Sequence, residues 1–174
     1  MDFTAPGVND AELDPDLAAL ASDDDATTDL DELEAELLGA VSPSTVIPVT
    51  GRPAYSVRYR IDFTGKDLDK LRKSAKDSKF ADGIDGVKFA SLLLASTCMG
   101  ILRNGSEENL SDALDVKGPV TFVSRELQGK YATSGSADLT VRKFYGLEGY
   151  VDAAARRLMA EAGWGDDVYA LDPS

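Results

Sequence analysis

The sequence predicts a mainly α-helical α+β body with a small β-hairpin at its start, preceded by a disordered acidic arm. Three observations predict this. Residues 1–45 contain 13 Asp or Glu and no Lys or Arg, whereas residues 46–174 hold the other 18 acids and all 18 basic residues. The whole net charge of -13 therefore lies in the first quarter of the chain. Residues 55–63 alternate apolar and polar side chains, the period of a strand with one buried face. Beyond residue 64, apolar side chains recur at helical spacing between glycines, prolines and capping residues.

The arm, 1–45, has one aromatic residue, Phe3. Its like charges leave too little apolar burial to offset the entropy of ordering. Two leucine strips interrupt it. Leu13, Leu17 and Leu20 lie at i, i+4 and i+7, and Leu30, Leu33, Leu37 and Val41 at i, i+3, i+7 and i+11. Each set would line one face of a short amphipathic helix, marginal on its own. Asp29, Asp31 and Glu32 suit the positive end of the second helix dipole, and Gly39 and Pro43 stop it. Leu30, Leu33, Leu37 and Val41 are the expected partner-binding anchors, in helix-in-groove or helix-on-helix docking. The competing expectation is that they cover apolar surface of the chain itself.

The body, 46–174, opens with a hairpin at 46–63. Val46 to Val49 reads as its first strand, with Pro48 marking a sheet edge, and Gly51-Arg52-Pro53 as its turn. Tyr55, Val57, Tyr59, Ile61 and Phe63 form the apolar face of the second strand. Thr64 is placed to cap a helix over 66–78, with Asp67 completing a capping box. That helix turns Leu68, Leu71 and Ala75 inward and Lys66, Lys70, Lys73 and Lys76 outward. Residues 87–103 are apolar nearly all round and predict one central helix, ended by Asn104-Gly105. A short helix is expected over 107–114. Another is expected from Gly118-Pro119, with Val120, Val123, Leu127 and Tyr131 on one face. Ser136 caps a helix through Phe144, and Tyr150 to Ala162 forms the last, with Gly163 as its C-terminal stop and Trp164 folding back onto it.

Chemistry is excluded more readily than found. With no histidine, Ser-His and Cys-His nucleophile pairs and most zinc sites are ruled out. The one cysteine, Cys98, excludes an intrachain disulfide and reads as a small core residue with a raised pKa. No GxxxxGK[ST] or GxGxxG pattern is present. Asp23, Asp25, Thr27, Asp29, Asp31 and Glu34 fall at EF-hand ligand spacing, but Thr28 stands where the loop needs glycine, and the pattern reads as loose cation attraction. No catalytic residue, cofactor or metal is assigned, and the expectation is a protein that is not an enzyme. Nucleic acid is disfavoured as a partner, because the charge has the wrong sign. No stretch reaches the ~20 apolar residues of a membrane span, and the acidic start is unlike a signal peptide. Residues 46–88 do carry 10 basic against 6 acidic residues, so the strand and first helix are expected to present a modest basic patch, suited to the arm or to an acidic partner.

The order of these features resembles a known family. An acidic start leads to a hairpin and a helical body. Near the end comes Arg142-Lys143-Phe144-Tyr145-Gly146-Leu147-Glu148-Gly149-Tyr150, followed by Val151-Asp152-Ala153-Ala154-Ala155. Over roughly residues 46–167 the chain is similar to the tail assembly chaperones of long-tailed bacteriophages that infect actinobacteria. The resemblance implies a host-cytoplasmic protein that keeps the tape measure protein soluble, engages tail tube subunits and is absent from the finished virion. It implies no catalytic residues. It further implies that a longer form made by ribosomal frameshifting exists for many members, although the Gly-Lys pair encoded at some slippery sites is missing near this C-terminus. A homo-oligomer is open to such a protein. The alternative reading is a structural virion protein, a head–tail connector or minor tail subunit.

Overall fold

The computed structural model describes residues 43–165. The arm helices, the anchors Leu30, Leu33, Leu37 and Val41, the EF-hand-like spacing and the acidic tail from Asp166 lie outside the described residues. Three strands and six helices follow in the order β1 (Ser44–Pro48), β2 (Tyr55–Arg60), α1 (Gly65–Ser74), α2 (Gly86–Thr97), β3 (Cys98–Arg103), α3 (Glu107–Leu114), α4 (Arg125–Tyr131), α5 (Ala137–Tyr145) and α6 (Glu148–Glu161). The fold is mainly helical with a small antiparallel sheet, as the sequence predicts.

The hairpin forms where the alternation places it. Ile47 pairs with Val57, and Ser44 with Arg60. Pro48 sits on β1, an edge strand, where its missing N–H costs least. Gly51 turns the hairpin at φ +79°, and a Cβ there would lie 3.1 Å from the Tyr150 ring. Both the left-handed backbone and the close approach favour glycine. Val57 and Tyr59 are fully buried, while Ser56, Arg58 and Arg60 on the other face are half-buried.

The central helix is where structure and sequence reading part. The apolar run does not stay helical to residue 103. α2 stops at Thr97, and the chain passes directly into β3, which pairs antiparallel with β2: Val57 opposite Ile101 and Arg58 opposite Gly100. A run that is apolar all round carries no period to tell helix from strand. What decides is tertiary. β3 buries Ile101 and Leu102 and completes the second edge of β2. Gly100 is the local reason this residue can pass there, since a Cβ would fall 2.7 Å from Glu107 Oε1 and 3.3 Å from Pro119 Cβ. Asn104 and Gly105 therefore make the β3–α3 turn, both at positive φ, instead of ending a helix.

Smaller differences have similar causes. α1 ends at Ser74, four residues early, because the chain folds back and Lys76 bridges Ile84. Residues 118–124 are not helical. The Ile101 N–H donates to the Val120 carbonyl at 2.8 Å, so this segment lines β3, and α4 begins only after Ser124, whose Oγ accepts from the Thr121 N–H at 2.9 Å. α6 starts at Glu148, with Gly149 inside it. Trp164 does not lie on α6 alone: its ring stacks on Phe63, 6.5 Å between centroids, across the start of α1.

The core lies between the sheet and α2, α5 and α6. α2 is its axis, burying Phe89, Ala90, Leu93, Leu94 and Ala95. Phe144 is an aromatic hub, edge-on to Tyr55, Phe122, Tyr131 and Tyr145. Arg52 covers it from the hairpin, its guanidinium 5.4 Å from the ring centroid and donating to the Tyr131 hydroxyl at 2.9 Å. α3 packs on β3, and Glu107 reaches Arg58 at 2.9 Å.

Candidate protein-docking groove

The basic patch expected on the second strand and first helix takes the form of a groove. Its walls are the end of β2, α1 and the last turn of α2. Phe63, Leu68, Leu93 and Thr97 form a buried floor, Leu71 is half-buried at one side, and Arg60, Asp67, Lys70 and Ser96 line the rim of a cleft of about 180 Å³. Each wall has a local cause. The alternation of β2 carries past its end to Phe63, which is 4% exposed. The helical spacing of Leu68 and Leu71 aims both from α1 toward α2. The Thr97 hydroxyl donates to the Leu93 carbonyl at 2.6 Å, which satisfies it within α2 and leaves its methyl group to the floor.

Thr64 fixes the start of α1 as foreseen. Its Oγ1 accepts from the Asp67 N–H, and the Asp67 carboxylate accepts from the Thr64 N–H at 2.8 Å. Those hydrogen bonds, first the backbone one, hold the Asp67 carboxyl below the usual carboxylate range. The carboxylate is thereby turned to the cap. Lys66, Lys70, Lys73 and Lys76 are all exposed, and none of them joins a salt bridge among the described residues. Arg60 pairs with Asp62 at 3.1 Å on the surface. The groove thus combines an apolar floor with a rim on which the lysines of α1 outnumber one ionised carboxylate, Asp67. Lysines on helix α1 were legible in sequence; the contribution of Leu93 and Thr97 was not, because it depends on which face of α2 packs on α1.

A second, wider cleft lies between the start of α2 and α6, lined by Phe80, Val87, Asp85, Arg142, Glu148 and Asp152. Arg142 is 3.6 Å from Asp85 there. Its mixed charges and shallow form give it less to hold an apolar anchor.

Titratable groups in the core form a separate cluster. The Tyr59 and Tyr145 hydroxyls lie 2.7 Å apart, one donating to the other. Burial pushes both phenols above their ordinary range. Cys98, beside them at the start of β3, is pushed up to about 12, again by burial. The thiol, half-buried against the core, is therefore held neutral. This trio has the chemistry of a satisfied core. Among the described residues no cluster of His, Cys, Asp or Glu is arranged to hold a metal ion, and no helix is long and apolar enough to cross a membrane.

Comparison with known proteins gives no match: neither a family model, nor a curated protein, nor a solved structure matches the chain.

Proposed function

We propose that this protein is a tail assembly chaperone of a long-tailed phage, binding the tape measure protein in the host cytoplasm and keeping it soluble until tail tube subunits surround it. The observation that carries the reading is the segregation of all net charge into a leucine-bearing segment ahead of an electrically balanced body. A holder of a long helical client needs apolar anchors and strong solubility together. Acidic residues around Leu30, Leu33, Leu37 and Val41 supply both in one stretch, and repulsion between such segments keeps coated complexes apart. The Arg142 to Ala155 run adds the family resemblance; in the fold it spans the end of α5, the Gly146 break and the first half of α6.

The test is co-expression with the tape measure protein followed by centrifugation. The client stays in the supernatant with the full chain and moves to the pellet when Leu30, Leu33 and Leu37 are replaced by Asp. A client that pellets in both cases refutes the function. Equal protection by both chains refutes the role of the leucines. A stoichiometric band of this protein in purified particles favours the structural-subunit alternative instead.

A further inference from the structure

The groove beside α1 has chemistry of its own to offer. Its floor is aliphatic and aromatic, closed by Phe63, Leu68 and Leu93, and suits one branched apolar side chain. Its rim is positive: Arg60 and Lys70 border the cleft, and Lys66 and Lys73 continue the charge along the exposed face of α1. The carboxylate at the rim, Asp67, accepts from Thr64 and stays ionised, within reach of the charges of Arg60 and Lys70, so the excess of positive charge comes from the α1 lysines that outnumber it. Two of the three walls are helices, whose backbone groups are satisfied internally, so strand addition has no edge to use there. What fits is a helix that presents an apolar anchor flanked by carboxylates.

We propose that this groove docks an acidic amphipathic helix of a separate protein, a leucine entering between Leu68, Leu71 and Leu93 while its neighbouring carboxylates meet Lys66, Lys70 and Arg60. Charge complementarity sets the choice of occupant. A basic helix would be repelled by the rim, and an uncharged one would leave Lys66, Lys70 and Lys73, which join no salt bridge among the described residues, without a counter-charge. Duplex DNA matches the rim but has no leucine-like anchor for the floor. The proposal stands apart from the tail-assembly reading: the pellet assay can fail while the groove binds, and the groove can fail while the client stays soluble.

The probe is a fluorescein-labelled peptide with the sequence of residues 26–42, which has the required acids and leucine spacing. Its anisotropy is followed on titration with the full-length protein. Saturable binding is expected, weakened about tenfold or more by Lys70→Glu and by Leu71→Asp, and weakened by added salt. Lys70 is exposed on a helix, so Lys70→Glu should leave the urea midpoint nearly unchanged. Affinity unaltered by Lys70→Glu overturns the proposal, as does equal binding of a short DNA duplex. Binding that emerges only in a chain carrying Leu30→Asp, Leu33→Asp and Leu37→Asp also overturns it, because the groove would then belong to the protein's own leucines.

Discussion

Tyr59→Phe isolates one buried interaction. Tyr59 is fully buried on β2, and Tyr145 is 3% exposed at the end of α5, so water does not replace a missing partner. Their hydroxyls meet at 2.7 Å across 86 residues of sequence. Removing the Tyr59 hydroxyl takes away a hydrogen bond and strands the Tyr145 hydroxyl. The asymmetry of hydrogen-bond energetics makes stranding the larger cost, about 1–3 kcal/mol. Tyr145→Phe should cost a similar amount for the same reason. The double variant removes both polar groups and leaves two rings of nearly native shape. It should lose less than the sum of the singles, with a coupling of about 1–2 kcal/mol. Urea unfolding followed through Trp164 fluorescence measures all four corners of the cycle. At a slope of about 2 kcal/mol/M, each single variant shifts the midpoint by about 0.5–1.5 M. The slopes must agree across the set for the comparison to hold. Strict additivity, with the double variant losing the sum of the two singles, would refute the reasoning, since it would mean that neither hydroxyl depends on the other.

Two further outcomes follow from the same interior. The raised pKa values of Cys98, Tyr59 and Tyr145 predict alkaline destabilisation. A group whose folded pKa lies above its unfolded value gives stability that is whole below the unfolded pKa and is lost as pH climbs toward the folded one. For Cys98 the window runs from 9.0 to about 12, and the phenols add to the loss above their ordinary value of 10.0. Unfolding free energy should therefore be flat in this respect below pH ~9 and fall above it; Cys98→Ser combined with both Tyr→Phe changes should flatten the alkaline limb, and an unaltered limb would count against these groups. Gly100→Val tests the contact of β3 with α3: a Cβ would lie 2.7 Å from Glu107 Oε1, so the carboxylate that reaches Arg58 must shift, and the extra methyls press on Pro119. The expected cost is about 1–3 kcal/mol, read from the urea midpoint, and Arg58→Ala alone, which leaves the buried Glu107 Oε1 without its cation, should cost a similar amount, about 1–3 kcal/mol.

How much of this fold could be read from sequence depends on whether the deciding forces were local. The capping box at Thr64 and Asp67 is written within four residues, and it forms as expected. The alternation from Tyr55 to Phe63 sets the faces of β2 for the same reason, since a period of two is visible without knowing the partner strand. The end of α2 is different. Leu92 to Leu102 has no polar face to betray a change of period, and the strand it becomes is chosen by β2, some forty residues earlier. One local mark was present: Ser96, Thr97 and Cys98, all weak helix formers, come just before Gly100. Val120, Val123, Leu127 and Tyr131 misled in the opposite sense. Their helical spacing is real, yet Val123 is 63% exposed while Val120 and Phe122 are buried, because the chain turns at 121–124, where the Ser124 N–H donates to the Thr121 carbonyl at 3.1 Å.

The groove shows why its lysines were legible and its floor was not. Lys66, Lys70 and Lys73 share a helix, so their common face follows from spacing alone. The floor joins Phe63, Leu68 and Leu71 to Leu93 and Thr97, residues brought together by the packing of α1 on α2. Had the helix continued to residue 103, Thr97 would lie in mid-helix and β2 would lack its second neighbour. Stability and docking are separable: Gly100→Val, whose Cβ meets Glu107 and Pro119 and none of the groove's lining residues, should act on stability, whereas Lys70→Glu should alter docking while leaving the fold intact.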